Sequence, residues 1–139
     1  MKIEELQPWH LEKLGRQGVS EAHDAVKFCE RMKESGPSFV GWVDEGVVAC
    51  VGLMCLSPGV YRCWALTDPV LAPKHFLSLN KAMRAWFAEQ RIPRIETTVL
   101  KGNIAGHRWV TELLGFEMEG VMFNFYQGYD ACLYARVTR

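Results

Sequence analysis

The sequence has no excess of charge of either sign, because 16 lysine and arginine residues are matched by 16 aspartate and glutamate residues over 139 positions. A domain that binds nucleic acid usually carries a basic surplus, so no nucleic-acid partner is expected. No apolar run approaches the roughly 20 residues that cross a bilayer, and residues 1–5 do not resemble a signal peptide. These absences predict a cytoplasmic protein without a membrane partner.

The cysteines lack every spacing that is typical of a metal site. There is no C-x-x-C pair and no Cys/His cluster, so no metal is expected. Each cysteine lies in a largely apolar run, which predicts buried free thiols in a reducing compartment. The five residues are Cys29, Cys50, Cys55, Cys63 and Cys132.

Internal repeats, low-complexity segments and linkers are also missing, and 49% of the residues are hydrophobic. The chain is long enough for one core and short for two. Residues 1–139 are therefore expected to form a single domain.

Alternating and continuous apolar runs, bounded by glycine and proline, predict the element order β-α-α-β-β-β-α-β-α-β-β. An antiparallel meander followed by a strand–helix–strand crossover predicts an α/β protein, that is, an α+β mixed sheet of about seven strands with helices on both faces. The predicted strands are residues 2–7, 38–43, 47–55, 61–67, 94–100, 116–125 and 130–137.

Glycine and serine mark the predicted helix ends. Gly15 and Gly18 end the first helix, Ser20 caps the second, and Gly115 stops the last. The third helix, residues 75–91, has an apolar stripe that predicts its core face. This stripe contains Phe76, Leu79, Met83, Trp86 and Phe87.

The most specific pattern lies near the C-terminus, where Asn103 follows a strand and a short helix ends in Leu114-Gly115-Phe116. This run and the element order resemble the GNAT superfamily of N-acetyltransferases over residues 2–137. With Cys63-Trp64 and Thr67-Asp68, the pattern is most similar to the GNAT-like proteins encoded by tailed bacteriophages. Some of those are internal virion proteins with no demonstrated chemistry.

The resemblance implies an acetyl-CoA site between the fourth and fifth strands, which part at mid-length in this family. The pantetheine arm of the cofactor would then pair with backbone groups of Ala65, Leu66 and Thr67. Asn103 matches a family asparagine that contacts this arm, and it is equally expected as a simple helix cap.

The segment after the fourth strand departs from the family pattern. Family members have glycines whose backbone N–H groups hold the cofactor diphosphate, whereas residues 67–75 here contain no glycine and two prolines, Pro69 and Pro73. Lys74 and His75, near a helix start, offset part of this loss. The sequence therefore predicts weak or altered CoA binding.

The family's proton donor is also missing, because Thr111 stands where many members have a tyrosine. Glu96 is either a general base for the amine or a solvated strand residue. His107 either contacts cofactor or substrate or is a surface or capping residue. Cys63 is expected to be a buried thiol and not a nucleophile. Trp64 and Trp109 are expected in the core, with an exposed partner-binding role as the alternative.

Two functions follow from these observations. The first is an N-acyltransferase that moves an acetyl group from acetyl-CoA to an unidentified amine, on a small molecule or a protein. The second is a catalytically silent phage protein with a degraded CoA site, located in the virion or bound to a host protein. A homodimer is plausible in either case.

Overall fold

The computed structural model describes residues 1–14, 22–44, 46–68 and 71–138. The predictions for Gly15, Gly18 and Ser20 lie outside these ranges. The elements are β1 (Lys2–Glu5), α1 (Pro8–Leu14), α2 (Ala22–Ser35), β2 (Ser38–Val43), β3 (Gly46–Ser57), β4 (Val60–Thr67), α3 (Pro73–Gln90), β5 (Arg94–Leu100), α4 (Ile104–Arg108) with a π-helical turn (Trp109–Leu113), β6 (Glu117–Tyr126) and β7 (Tyr129–Val137).

The strands form one seven-stranded mixed sheet in the order β1-β2-β3-β4-β5-β7-β6. β4 and β5 are its parallel pair, and the other neighbours run antiparallel. Helix α3 makes the crossover between the parallel strands, as a parallel connection requires. The predicted fold class is confirmed.

Each face of the sheet carries its own apolar core. One core includes the α3 side chains Leu79, Met83 and Phe87, which the predicted stripe contained. The other core joins α1 and α2 to the opposite face, with Leu11 and Cys29 among its buried members. Helices therefore cover both faces, as the mixed-sheet prediction requires.

α3 begins at Pro73, two residues before the predicted start, because a proline is tolerated in the first turn of a helix. It ends at Gln90, and the capping residue Arg91 adopts a left-handed φ of 52°. Gly115 follows the π-helical turn with φ of 75°, a conformation that glycine adopts without a steric penalty. This positive φ lets the chain leave the last helix and enter β6.

Two expectations at the level of elements are wrong. β1 ends at Glu5 and not at residue 7, and Leu6 is instead buried beneath α1 and α2. Cys55 is exposed, because it lies near the end of β3 where the β3–β4 hairpin leaves the core. The other four cysteines are buried free thiols. No helix in the described ranges is long and apolar enough to span a bilayer.

Candidate active site between β4 and β5

β4 and β5 pair at one end and separate at the other. Their register contains Val60↔Arg94, Tyr61↔Ile95 and Arg62↔Glu96, and then stops. β4 stays paired with β3 up to Thr67, and β5 stays paired with β7 up to Leu100. The two strands therefore diverge while each remains held by its outer neighbour.

The opening begins directly after Arg62. There the Thr97 hydroxyl donates a hydrogen bond to the Cys63 carbonyl, with 3.2 Å between Oγ1 and O. The register of β4 against β3 runs from Tyr61 to Thr67 without a shift. The opening thus comes from divergence of the strands and not from a residue inserted into β4.

Alternation along β4 decides which peptide groups face the opening. In an antiparallel strand, the N–H and C=O of one residue point to the same side, and the next residue points to the other. The Cys63 carbonyl faces β5, whereas the Asp68 N–H donates to Val48 of β3 at 2.8 Å. The peptide groups of Ala65 and Thr67 therefore face the opening. The peptide groups of Leu66 face β3, so only the Leu66 side chain can contact a ligand in the opening.

A cavity of about 620 Å³ occupies the opening. It passes between the two faces of the sheet, because side chains of both cores line it. Its walls are mainly apolar and aromatic, which is typical of small-molecule sites. Representative lining residues are Phe28, Met32, Trp64, Leu66, Met83 and Trp109.

Asn103 lies at the start of α4 and lines this cavity. Its side-chain Oδ1 accepts a hydrogen bond from the Gly106 N–H at 3.0 Å, which is the geometry of a helix N-cap. Ala65 and Leu66 also line the cavity. The structure thus brings these three predicted cofactor residues together.

Three other predicted cofactor residues, Thr67, Lys74 and His75, are not among the cavity-lining side chains. Lys74 is exposed at the start of α3, and His75 borders a separate cavity of about 290 Å³ beside Trp42. Pro69 lies outside the described ranges. The sequence predicted these positions from the family pattern, and the geometry puts them at the far end of β4 and beyond it.

The start of α3 offers few backbone donors. Pro73 has no N–H, and the N–H groups of His75 and Phe76 both donate to the Ala72 carbonyl, at 2.9 and 3.0 Å. Of the first four helical positions, only Lys74 has an N–H without an acceptor among the residues that the structure describes. A helix start usually provides several such groups to an anion, so this one is a poor diphosphate cradle.

Thr111 does not face the cavity. Its side chain is exposed, and its hydroxyl donates to the His107 carbonyl one turn earlier, at 2.7 Å. The hydroxyl proton is therefore already in a hydrogen bond, and nothing in the geometry directs it toward the opening between the strands.

His107, the remaining predicted cofactor residue, is not among the cavity-lining residues and instead joins α4 to the last strand. Its Nε2 lies 3.0 Å from the Lys101 carbonyl, which only accepts, so Nε2 carries the proton. In the neutral ring, Nδ1 then accepts from the Tyr134 hydroxyl at 2.6 Å. Tyr134 is buried, and desolvation raises the pKa of its phenol. Sequence reasoning missed this pair because the two residues are far apart in the chain.

Glu96 is neither solvated nor free to act as a base. The side chain is only 7% exposed, so the expectation of a solvated strand residue is wrong. Arg62 Nη2 lies 2.7 Å from Oε1, and Arg94 Nε lies 3.1 Å from Oε2. Arg94 also binds Glu119 with its two terminal nitrogens. Both carboxylate oxygens of Glu96 are thus engaged at the closed end of the opening.

Cys63 is a buried thiol, as expected. Burial raises its pKa to about 12, so the thiolate is scarce at neutral pH. The side chain belongs to the apolar core on the α3 face. Its Sγ donates to the Trp64 carbonyl, at 3.8 Å, and not to a base.

Two nitrogens beside the cavity lack a hydrogen-bond partner among the described residues. They are Arg62 Nε and Trp64 Nε1, both buried. A buried donor left without a partner costs about 1–3 kcal/mol. Trp64 is half-buried and packs edge-on against Phe28, so the expectation of a purely core tryptophan holds only in part. Trp109 is also half-buried, and its indole donates to Asn80.

No group of three or more possible metal ligands occurs in the part of the chain that the structure describes. No protein-family model matches the sequence, and no curated protein matches it either.

Solved structures show that the fold is that of the GNAT N-acetyltransferases. Ard1 from Thermoplasma volcanium is 18% identical with a TM-score of 0.79, and the match covers 99% of this chain and 97% of that one. A ribosomal-protein-alanine N-acetyltransferase from Brucella melitensis is 12% identical with a TM-score of 0.76, covering 99% and 100%. A variant of the spermidine N-acetyltransferase from Vibrio cholerae is 13% identical with a TM-score of 0.78, covering 99% and 95%. These similarities establish the fold, whereas the phage grouping stays a prediction.

Proposed function

We propose that the protein is an N-acyltransferase that moves an acetyl group from acetyl-CoA to an amine bound between β4 and β5. The observation that carries this proposal is the divergence of the two strands after Arg62, which opens a mainly apolar cavity beside peptide groups that β3 does not use. A separation of this kind costs ladder hydrogen bonds, and a ligand that replaces them recovers the loss.

The residues present fit the pantetheine arm of the cofactor. Ala65 and Thr67 would pair with its amides through their backbone, and Asn103 and Gly106 would border it from the start of α4. Bound there, acetyl-CoA supplies an acyl group activated as a thioester. The apolar walls exclude water from this group, which limits its hydrolysis.

The residues present fit the diphosphate end less well. Two missing backbone donors to a charged group, at about 1.5–3 kcal/mol each, would weaken binding by a few hundredfold or more. The Lys74 side chain and a protonated His75 would offset part of this loss at the positive end of α3. We therefore expect the pantetheine arm to provide most of the affinity.

Proton transfer falls to the acceptor amine and solvent. Among the cavity-lining residues that the structure describes, none is a free carboxylate or histidine. Glu96 and Thr111, the predicted catalytic candidates, are both held by other groups. The amine would therefore enter uncharged, and the rate should increase with pH toward the pKa of the amine itself.

A catalytically silent protein, with a virion or host-protein role, is the competing function. The poor diphosphate cradle at the start of α3 is the observation in its favour. A binding measurement distinguishes the two functions, because a silent protein has no need to bind a thioester in the opening.

Calorimetric titration with acetyl-CoA and with S-acetylpantetheine, which lacks the diphosphate, tests the proposal. Binding of both, with affinities that differ by no more than about tenfold, is expected from the poor cradle. If neither ligand gives a heat of binding at millimolar concentration, the acyltransferase is excluded and the silent protein is favoured.

A matched pair of substitutions at Ala65 tests whether the β4 peptide groups that face the opening bind the ligand. Ala65→Pro removes the N–H that faces the opening, and a proline is tolerated where the strand does not use that N–H. Ala65→Ser keeps it. We expect the proline variant to fold, by thermal melting, and to lose most of its affinity for S-acetylpantetheine, while the serine variant keeps it. Equal affinities in the two variants would contradict the assigned role.

A further inference from the structure

The side chain of Thr97 replaces a backbone bond where the ladder between β4 and β5 ends. At the paired end, the Arg94 N–H donates to the Gly59 carbonyl, at 3.2 Å. Further along both strands, the same offset would pair the Thr98 N–H with the Cys63 carbonyl. The register has stopped before this point, and that carbonyl accepts from the Thr97 hydroxyl, with 3.2 Å between Oγ1 and O. The Thr98 N–H is therefore left without its ladder acceptor.

The direction of this N–H follows from alternation along β5. The Lys101 N–H, just after the strand, donates to the Asp130 carbonyl of β7, at 2.9 Å. Successive N–H groups of a strand point to opposite sides, so those of Leu100 and Thr98 point away from β7. Thr98 is half-buried and lines the cavity. Its N–H is thus directed into the opening, close to the point where β4 and β5 part.

The proposed binding mode of the pantetheine arm brings the thioester to this point. The diphosphate end lies toward α3, which begins at Pro73 beyond the end of β4, so the two amides meet Thr67 first and Ala65 second. Only two methylene groups separate the second amide from the sulfur. The thioester carbonyl therefore follows Ala65 by at most about two residues of strand rise, roughly 7 Å. That position is beside Cys63 and faces the Thr98 N–H.

We propose that the Thr98 N–H donates a hydrogen bond to the carbonyl oxygen of the thioester and stabilises the negative charge that develops there during transfer. Thr97 is then a positioning residue, because its hydroxyl occupies the Cys63 carbonyl and keeps the Thr98 N–H available. This inference rests on the proposed N-acyltransferase function and adds a catalytic group to its site.

The hydrogen bond assists the transfer without a further reactant. When the uncharged amine nitrogen attacks the carbonyl carbon, a C–N bond forms and the C=O electron pair moves to the oxygen, next to the Thr98 N–H. When the carbonyl forms again, the C–S bond breaks, and the proton from the nitrogen goes to the thiolate, directly or through water. A fixed donor binds the oxygen most strongly while it is charged, so it lowers the barrier more than it strengthens ground-state binding.

Two ligands of equal length test the contact without turnover. S-acetylpantetheine has the carbonyl, whereas S-ethylpantetheine, a thioether, lacks it. Calorimetric titration of the unaltered protein should show that the thioester binds about threefold to tenfold more tightly, which is the effect of one hydrogen bond. Equal affinities would overturn the inference and leave the proposed function standing. Absence of binding by both ligands would overturn the proposed function, and the inference with it.

The amide proton of Thr98 reports the contact directly. In amide-resolved NMR spectra, its resonance should move downfield with S-acetylpantetheine and not with S-ethylpantetheine, because only the thioester supplies an acceptor. The Val99 amide is the internal control, since it faces β7, where Val99 pairs with Cys132. It should respond alike to both ligands. A Thr98 resonance that does not distinguish the ligands would overturn the assignment of the donor.

Two substitutions at Thr97 test its positioning role. Thr97→Val keeps the shape but removes the hydroxyl, so the Cys63 carbonyl can accept from the Thr98 N–H, and the preference for the thioester should disappear. Thr97→Ser keeps the hydroxyl and should keep the preference. Thr111→Val is the matched control, because that hydroxyl also donates to a backbone carbonyl, that of His107, outside the cavity. A preference that persists in Thr97→Val, or that is lost equally in Thr111→Val, would overturn the role of Thr97.

Discussion

The Tyr134 hydroxyl lies 2.6 Å from Nδ1 of His107, and this contact ties the last helix to the strand β7. The other ring nitrogen of His107 lies 3.0 Å from the Lys101 carbonyl, so the imidazole bridges the segment before α4 and the sheet. Because Asn103 and Gly106 line the cavity, this bridge holds one of its walls in place.

Tyr134→Phe should therefore destabilise the protein by about 1–2 kcal/mol, since it removes one buried hydrogen bond and leaves a ring nitrogen without its partner. Urea unfolding measures the change. Tyr126→Phe is the control, because the Tyr126 side chain is 55% exposed and its loss of a hydroxyl should cost almost nothing. Equal stabilities of the two variants would show that the Tyr134–His107 contact contributes nothing.

His10 should make the protein sensitive to mild acid. The ring is 1% exposed, its Nδ1 accepts from the Gln7 N–H at 2.8 Å, and its Nε2 lies 3.1 Å from Glu4. Burial lowers the pKa of His10, although the Glu4 carboxylate opposes this shift. Protonation of Nδ1 would bring two N–H groups, those of His10 and Gln7, against each other and break this hydrogen bond. The folded state therefore favours the neutral ring.

The sign of the effect follows from proton binding. Between the lowered folded-state pKa and the unfolded value of about 6.5, the unfolded chain binds more protons, so the free energy of unfolding increases with pH. The contribution is complete above about pH 6.5 and decreases as the pH falls below it. Urea unfolding at several pH values should show this slope in the unaltered protein and a smaller slope in His10→Gln. Identical slopes would rule out His10 as its source.

The sequence predicted the order of the elements well because local signals determine it. Gly115 marks the end of the last helix by backbone chemistry that needs no distant partner, and the apolar stripe containing Met83 fixes the buried face of α3. The opening between β4 and β5 came from the family resemblance, since no residue in either strand signals it.

The electrostatics of the site could not be predicted from the sequence. Glu96 is buried because Arg62 and Arg94 compensate its charge, and Arg62 is a neighbour only through the parallel pairing of β4 and β5. Cys55 is exposed because β3 extends beyond the core, a length that its apolar sequence does not reveal. Such features depend on tertiary contacts, which periodicity along one segment does not encode.

Gly52 should be essential for the position of Trp64. The two residues are opposite each other on β3 and β4, and a Cβ atom at Gly52 would overlap the Trp64 indole. Gly52→Ala should therefore cost about 1–3 kcal/mol, as overpacking of a buried site does.

Urea unfolding measures this loss of stability. Gly46→Ala is a suitable control, because the nearest atom to its added Cβ is the Val43 carbonyl oxygen at an ordinary 3.6 Å. Equal stability of Gly52→Ala and Gly46→Ala would show that the Trp64 indole has room to move and that Gly52 does not fix its position.

We expect the edge strand β6 to mediate self-association and so to form the interface of the predicted homodimer. Among the strands of the described residues, β6 has one sheet neighbour, β7. It exposes aromatic side chains, including Phe123, which is 78% exposed, and Tyr126. An edge strand with unpaired peptide groups and exposed apolar side chains is a template for a second strand, and two copies of β6 would complement each other when antiparallel.

Phe123→Lys places a charge in the middle of this edge and should convert a dimer to a monomer, because pairing would bring two lysines together in the contact. Sedimentation velocity at several protein concentrations measures the change. Leu77→Lys is the matched control, since Leu77 is 59% exposed on α3, away from β6. A dimer that persists in Phe123→Lys, or an unaltered protein that stays monomeric at about 100 μM, would exclude β6 as the interface, because a stable interface associates well below that concentration.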